Sequence, residues 1–164
     1  MEDKKTIMLV LGSGGHTKQM IILANMLGRD YNYEYVIAKD DLLSEKKIKI
    51  PGGVFRLYNP RKMTDKSRII TFFKAIISSF ESISLLAKSK ADIIIACGPG
   101  LAIPLSIIGK LFFRKKLIFI ESWSRVYSKS LAGKFLYPIS DISFVQWEQE
   151  LENYPAAVFA GRFG

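Results

Sequence analysis

Short apolar runs alternate with segments of helical period along the whole chain, and this alternation constrains the fold more than any other feature. Ile7–Leu11 is an uninterrupted apolar run of strand length. Gly12-Ser13-Gly14-Gly15 breaks it, and His16–Leu27 then repeats apolar residues at helical spacing (Met20, Leu23, Ala24, Leu27) before Gly28 closes the segment. Further strands are predicted at Tyr35–Ala38, Val54–Tyr58, Asp92–Ala96, Leu117–Ile120, Ile142–Val145 and Ala157–Ala160. Helices are predicted over Ile69–Ala87, about Leu101–Phe112 and Ser130–Leu136. Strand–helix alternation implies right-handed crossovers and an α/β, Rossmann-like, doubly wound and mostly parallel sheet. The 164 residues, 49% apolar, suit one domain over residues 1–164 and exclude a disordered chain.

Charge divides the chain into three unequal parts. Residues 1–40 are neutral overall. Residues 41–134 carry 18 basic and six acidic side chains, a net +12, and residues 135–164 are net −3. Something acidic is therefore expected against the middle of the chain: anionic lipid, a phosphate-bearing substrate or nucleic acid, with a merely solvated basic face as the alternative. No nucleic-acid module is recognisable, so no nucleic-acid partner is expected. A single cysteine excludes a disulfide framework, and with one histidine it excludes a conventional zinc site; no metal and no cofactor is expected.

The apolar core Thr6–Leu11 is shorter than the roughly 7–15 residues of a secretory signal. The longest uncharged run, Ile93–Gly109, is shorter than the ~20 residues of a spanning helix and is interrupted by Gly98, Pro99, Gly100 and Pro104. No transmembrane segment is expected. Peripheral contact with a membrane surface stays open. Asn59–Arg68 is basic and leads into the apolar Ile69–Ala87 segment, and Leu111-Phe-Phe-Arg-Lys-Lys116 repeats that pairing of apolar and basic residues. Both suit an anionic membrane surface, and both also suit helices that only cover the sheet.

In doubly wound sheets, ligands bind at the carboxyl ends of the strands. There the chain places Gly12, Ser13, Gly14, Gly15, His16 and Thr17. Three glycines let backbone N–H groups approach a ligand, and the helix that follows favours negative charge. The spacing fits neither the dinucleotide fingerprint nor a P-loop, so an anion cradle and a plain tight turn both remain open. His16, the sole histidine, is a candidate general base, with a capping role as the alternative. A helix N-terminus lowers its pKa and favours the neutral ring. Cys97-Gly98-Pro99-Gly100 makes a second glycine turn. Cys97 is read as a small core residue, because no histidine lies near it in sequence to activate it. Glu121, Ser122, Trp123 and Arg125 share one strand-end loop that suits a sugar or diphosphate, or serves only to cap.

Leu11–Thr17, Cys97–Gly100, Phe119–Val126, Ser130–Lys134 and Phe144–Trp147 stand in an order and at distances that resemble one family. It is the small, membrane-associated subunit of the two-component UDP-N-acetylglucosamine transferase of lipid-linked oligosaccharide synthesis, with prokaryotic relatives in capsule and exopolysaccharide assembly. The resemblance implies the N-terminal, acceptor-side half of a GT-B glycosyltransferase. A small donor-binding subunit would be the partner. A polyprenyl-diphosphate sugar would be the acceptor, and a nucleotide sugar would be shared with the partner, at the cytoplasmic face of the membrane. His16 would act as base. Gly12–Thr17, Gly98, Pro99, Gly100, Glu121, Ser122 and Arg125 would line the acceptor site, with Arg61 and Ser67 in a basic loop over the cleft. Eukaryotic members begin with a hydrophobic anchor absent here, so attachment would rest on the basic and apolar middle of the chain. Two other classes fit the residues: a non-catalytic enhancer of a glycosyltransferase, and a stand-alone nucleotide-binding domain.

Overall fold

A computed structural model describes residues 4–12, 14–60 and 68–163. Seven strands form one sheet: β1 (Thr6–Gly12), β2 (Asn32–Ala38), β3 (Gly53–Leu57), β4 (Ile93–Ala96), β5 (Lys116–Ile120), β6 (Ile142–Val145) and β7 (Val158–Phe159). Their order is β3-β2-β1-β4-β5-β6-β7, and every neighbouring pair is parallel. Four α-helices connect them: α1 (Gly15–Leu27), α2 (Arg68–Lys88), α3 (Ala102–Leu111) and α4 (Leu131–Leu136). The expected alternation is present, and the sheet is parallel throughout. The β2–β3 connection holds only a short 3₁₀ turn, Glu45–Lys47.

Alternate residues of β1 enter opposite cores, as the two-residue repeat of a strand requires. Ile7, Leu9 and Leu11 pack with Met20, Ile21 and Ala24 of α1. Met8 and Val10 pack on the other face with Leu85 and Leu86 of α2, Leu105 of α3 and Leu136 of α4. Each fully buried side chain of this size contributes roughly 1.5–3 kcal/mol. The chain runs outward from β1 through β2 to β3, then crosses back to β4 and runs the other way. The loops leaving β1 and β4 therefore diverge to opposite faces and open a crevice between them.

α2 buries serines beside its core leucines and exposes a stripe of large apolar residues. Ser78 and Ser82 are buried, Ser82 Oγ donating to the Ser78 carbonyl at 2.7 Å, while Phe73, Ile76, Ile77, Phe80 and Ile83 are exposed. The small inward serines let α2 lie close to α3, and the apolar stripe faces away from the core. Leu111 and Phe112 at the end of α3 are exposed as well. Among the described residues, no helix is long and apolar enough to cross a membrane.

Candidate active site

The two glycine turns interlock at the crevice. A Cβ on Gly12 (φ +70°) would stand 2.3 Å from Pro99 Cβ, and a Cβ on Gly98 (φ +71°) would stand 2.3 Å from His16 Cε1. His16 thus rests on the bare backbone of the β4 turn, and only glycine leaves room for it. The ring is half-buried. Burial lowers its pKa from the usual 6.5; Glu121 opposes this and Arg125 adds to it. The imidazole is therefore neutral at pH 7 and able to accept a proton. The direction is the one expected from the helix N-terminus, but burial is the larger cause.

Cys97 Sγ lies 3.8 Å from His16 Nδ1, although 81 residues separate them in sequence. The sequence reading missed this neighbour. Burial first, and the Glu121 charge second, push the thiol pKa far up, so Cys97 stays a thiol and a packing residue. Its S–H donates to Gln19 Oε1 at 3.5 Å.

Gln19 joins the strand ends. Its Oε1 also accepts from Gln146 Nε2 at 2.7 Å and the Trp123 N–H at 3.4 Å, and its Nε2 donates to Ser122 Oγ at 3.4 Å. Gln146 Nε2 donates in turn to the Glu121 carbonyl at 2.9 Å. Trp147 Nε1 donates to the Trp123 carbonyl at 2.6 Å. Neither glutamine was among the expected site residues. The available signals were a polar residue on the apolar face of α1 and the Gln-Trp pair after β6.

Glu121 is buried, and its carboxylate is fully engaged. Oε2 accepts from Tyr154 OH at 2.5 Å and the Ser130 N–H at 3.0 Å, and Oε1 accepts from the Ser122 N–H at 2.7 Å. A Cβ on Gly133 would come within 2.6 Å of Glu121 Oε2, which explains the glycine in Ser130–Lys134. Thr17 is buried, with its hydroxyl 2.9 Å from Ser44 Oγ; Pro99 packs on Gly12; Ser122 is buried against Gln19. Thr17, Pro99, Glu121 and Ser122, expected at the acceptor site, are buried and pack the loops around the crevice. Gly14, Gly15 and Arg125 are exposed, and Gly98 and Gly100 are partly so. Arg125 reaches Ser128 Oγ at 3.4 Å. Ser13, Arg61 and Ser67 lie outside the described residues.

Three buried side chains lack a hydrogen-bond partner among the described residues: the hydroxyls of Ser78 and Ser106 and the carboxylate of Glu150, in the 3₁₀ turn Glu148–Glu152. Burial and then the charge of Glu121 push the Glu150 pKa up to about 7, with Arg125 opposing. Among the described residues, no group of histidine, cysteine and carboxylate side chains could hold a metal ion.

Residues 7–163 match the family described as "Oligosaccharide biosynthesis protein Alg14 like". The chain is 33% identical to the human UDP-N-acetylglucosamine transferase subunit ALG14 over 98% of its own length and 83% of the relative's. It is also 33% identical to the Schizosaccharomyces pombe subunit of the same name, over 96% and 83%. Among solved structures it resembles Acinetobacter baumannii MurG (TM-score 0.71, 11% identity), covering 98% of this chain and 44% of that one. It likewise resembles a UDP-N-acetylglucosamine 2-epimerase from Listeria monocytogenes (TM-score 0.70, 14% identity), covering 94% and 42%. At such identities the likeness concerns the fold alone. It is the Rossmann-like fold equivalent to the N-terminal half of a GT-B glycosyltransferase, and it spans less than half of either neighbour.

Proposed function

The chain belongs to the Alg14-like family of oligosaccharide biosynthesis proteins, and we propose that it is the acceptor-side subunit of a two-component glycosyltransferase. Its domain, residues 1–164, presents a polyprenyl-diphosphate sugar to a small donor-binding partner and brings that partner to the cytoplasmic face of the membrane. The relatives' names as transferase subunits support a partner and point to UDP-N-acetylglucosamine as donor. The observation that carries the reading is His16: the sole histidine, neutral, seated on Gly98 where the loops of β1 and β4 part.

The chemistry follows from that placement. An acceptor sugar hydroxyl attacks the anomeric carbon of the donor, with inversion, while His16 takes the hydroxyl proton. The leaving nucleotide diphosphate departs on the partner's side. The exposed amides of Gly14 and Gly15 at the start of α1 favour the acceptor diphosphate, and Arg125 adds a guanidinium at the rim. The exposed stripe of α2 and the Leu111–Phe112 step, followed by Arg114, Lys115 and Lys116, provide an apolar and basic face for an anionic membrane.

Co-expression with the donor-binding partner and assay of sugar transfer onto a polyprenyl-diphosphate sugar tests this. Transfer should need both chains. Full activity from the partner alone would overturn the reading. His16→Ala should lower transfer by roughly 10²–10⁴-fold with the chains still associated; unchanged transfer would move the protein to a non-catalytic, localising role.

A further inference from the structure

A cavity of about 670 Å³ opens beside the glycine turn, between α1 and the loop that carries Lys46, Lys47 and Lys49. Its size is that of a small-molecule site. Ile21 and Ile22 supply an apolar lining, and Lys18, Lys46, Lys47 and Lys49 surround it. None of the four lysines makes an ion pair among the described residues, whereas Lys39, Arg56 and Lys110 do. Four cations, of which only Lys47 feels a nearby carboxylate (Asp41), around an apolar lining suit an amphiphilic anion. A nucleotide would need polar edges to read its base, and Asn25 is the single uncharged polar side chain in the lining.

The cavity is continuous with the candidate active site. Gly14 and Gly15 line it, and a Cβ on Gly15 would lie 3.8 Å from Trp123 Nε1. Lys18 Nζ sits 5.1 Å from the centroid of the Trp123 ring. The loop that carries the other three lysines is built, not loose. Asp41 accepts the N–H groups of Leu43 and Ser44 at 3.0 and 2.9 Å, and Ser44 Oγ meets Thr17 Oγ1 of α1. Arg56 of β3 bonds the Asp41 carbonyl at 3.1 Å and Glu45 at 2.5 Å. This turn leaves Leu42 and Leu43 exposed beside the lysines. Across the same edge of the sheet, Glu81 of α2 accepts the Tyr58 N–H just beyond β3 at 2.7 Å. The lysine loop and the apolar stripe of α2 therefore flank one edge of the molecule.

We propose that this cavity is the lipid-side subsite of the acceptor: the diphosphate lies between the Gly14 and Gly15 amides and Lys18, Lys46, Lys47 and Lys49, and the first isoprenoid units run over Ile21 and Ile22 towards Leu42 and Leu43. The assignment rests on the subunit reading above and adds to it the place where the lipid leaves the bilayer. The acceptor sugar then extends past Gly15 and Trp123 to His16. Thr17 gains its purpose from this arrangement, since its bond to Ser44 sets the distance between α1 and the lysine loop.

The test is calorimetry on the full chain with geranylgeranyl diphosphate, and separately with inorganic diphosphate and geranylgeraniol. The lipid diphosphate should bind at least tenfold more tightly than either part. K46Q/K47Q/K49Q should weaken it at least tenfold. Ile22→Asn, which removes apolar surface without adding charge, should weaken the lipid diphosphate while leaving inorganic diphosphate unchanged. Equal binding by the wild type and both variants overturns the subsite, as does inorganic diphosphate binding as tightly as the lipid. A transfer assay with the partner separates this from the subunit reading. Transfer with an unchanged acceptor KM in the triple-lysine variant removes the subsite and leaves the subunit reading intact. Lipid binding lost in the variants, with no transfer by the wild-type pair, removes the subunit reading and leaves the subsite.

Discussion

His16 is positioned by an absence, the missing side chain of Gly98. Gly98→Ala puts a methyl where the imidazole lies and strains a backbone at φ +71°. It should cost about 1–3 kcal/mol in stability and lower transfer about 100-fold through misplacement of the base. Urea denaturation and steady-state rates on one preparation check both. A half-buried and a buried titratable group give opposite pH signatures. His16 has a lowered pKa, so it contributes stability above its ordinary value that is lost as pH falls through the folded one. The base limb of a transfer-rate profile should accordingly have its midpoint below 6.5. Glu150 is raised to about 7 from an ordinary 4.5. Between those values the folded state holds more protons than the unfolded chain, so stability falls as pH rises. Glu150→Gln should match wild type near pH 4 and exceed it by roughly 2 kcal/mol at pH 8, read from urea midpoints at the two pH values.

The elements were legible because their apolar runs are unbroken and their turns carry glycine. All seven strands and four helices fall within a few residues of expectation. The largest boundary difference is instructive: β2 begins at Asn32, before the expected Tyr35. Glu34 interrupts the apolar run, yet its carboxylate accepts the Lys90 N–H at 2.9 Å and the Ser89 hydroxyl, tying β2 to the turn after α2. A charge that reads as a strand end is in fact a cross-chain bond. The 3₁₀ turns at Glu45–Lys47, Tyr137–Ile139 and Glu148–Glu152 left no periodic trace, since three to five residues cannot show one. α2 was legible as a helix, but its orientation was not: Leu85 and Leu86 face the core together with Ser78 and Ser82, while Phe73, Ile76, Ile77, Phe80 and Ile83 point outward. Ile77→Glu with Phe80→Glu should therefore leave the urea midpoint within about 0.5 kcal/mol of wild type, while binding to anionic vesicles in a flotation assay falls at least tenfold.

At the scale of the whole molecule, the site was legible as loops and not as a constellation. His16 and the glycine turns stand out by type and spacing. Gln19, Gln146 and Tyr154 do not, because their partners lie 103, 127 and 33 residues away, and no local pattern records a distant hydrogen bond. Tyr154→Phe leaves Glu121 Oε2 short of a donor inside the fold. It should cost about 1–3 kcal/mol, measured by urea denaturation, and loosen the loop from Ser122 to Ser130. The glutamine junction also bears on how the protein is made. Gln19 emerges early during synthesis, but the bond that fixes it comes from Gln146, after six of the seven strands. A ribosome-bound chain can form β1, α1 and β2 by local steps, yet the glutamine junction beside His16 stays incomplete until β6 docks. Partially synthesised chains thus hold the histidine without the finished junction.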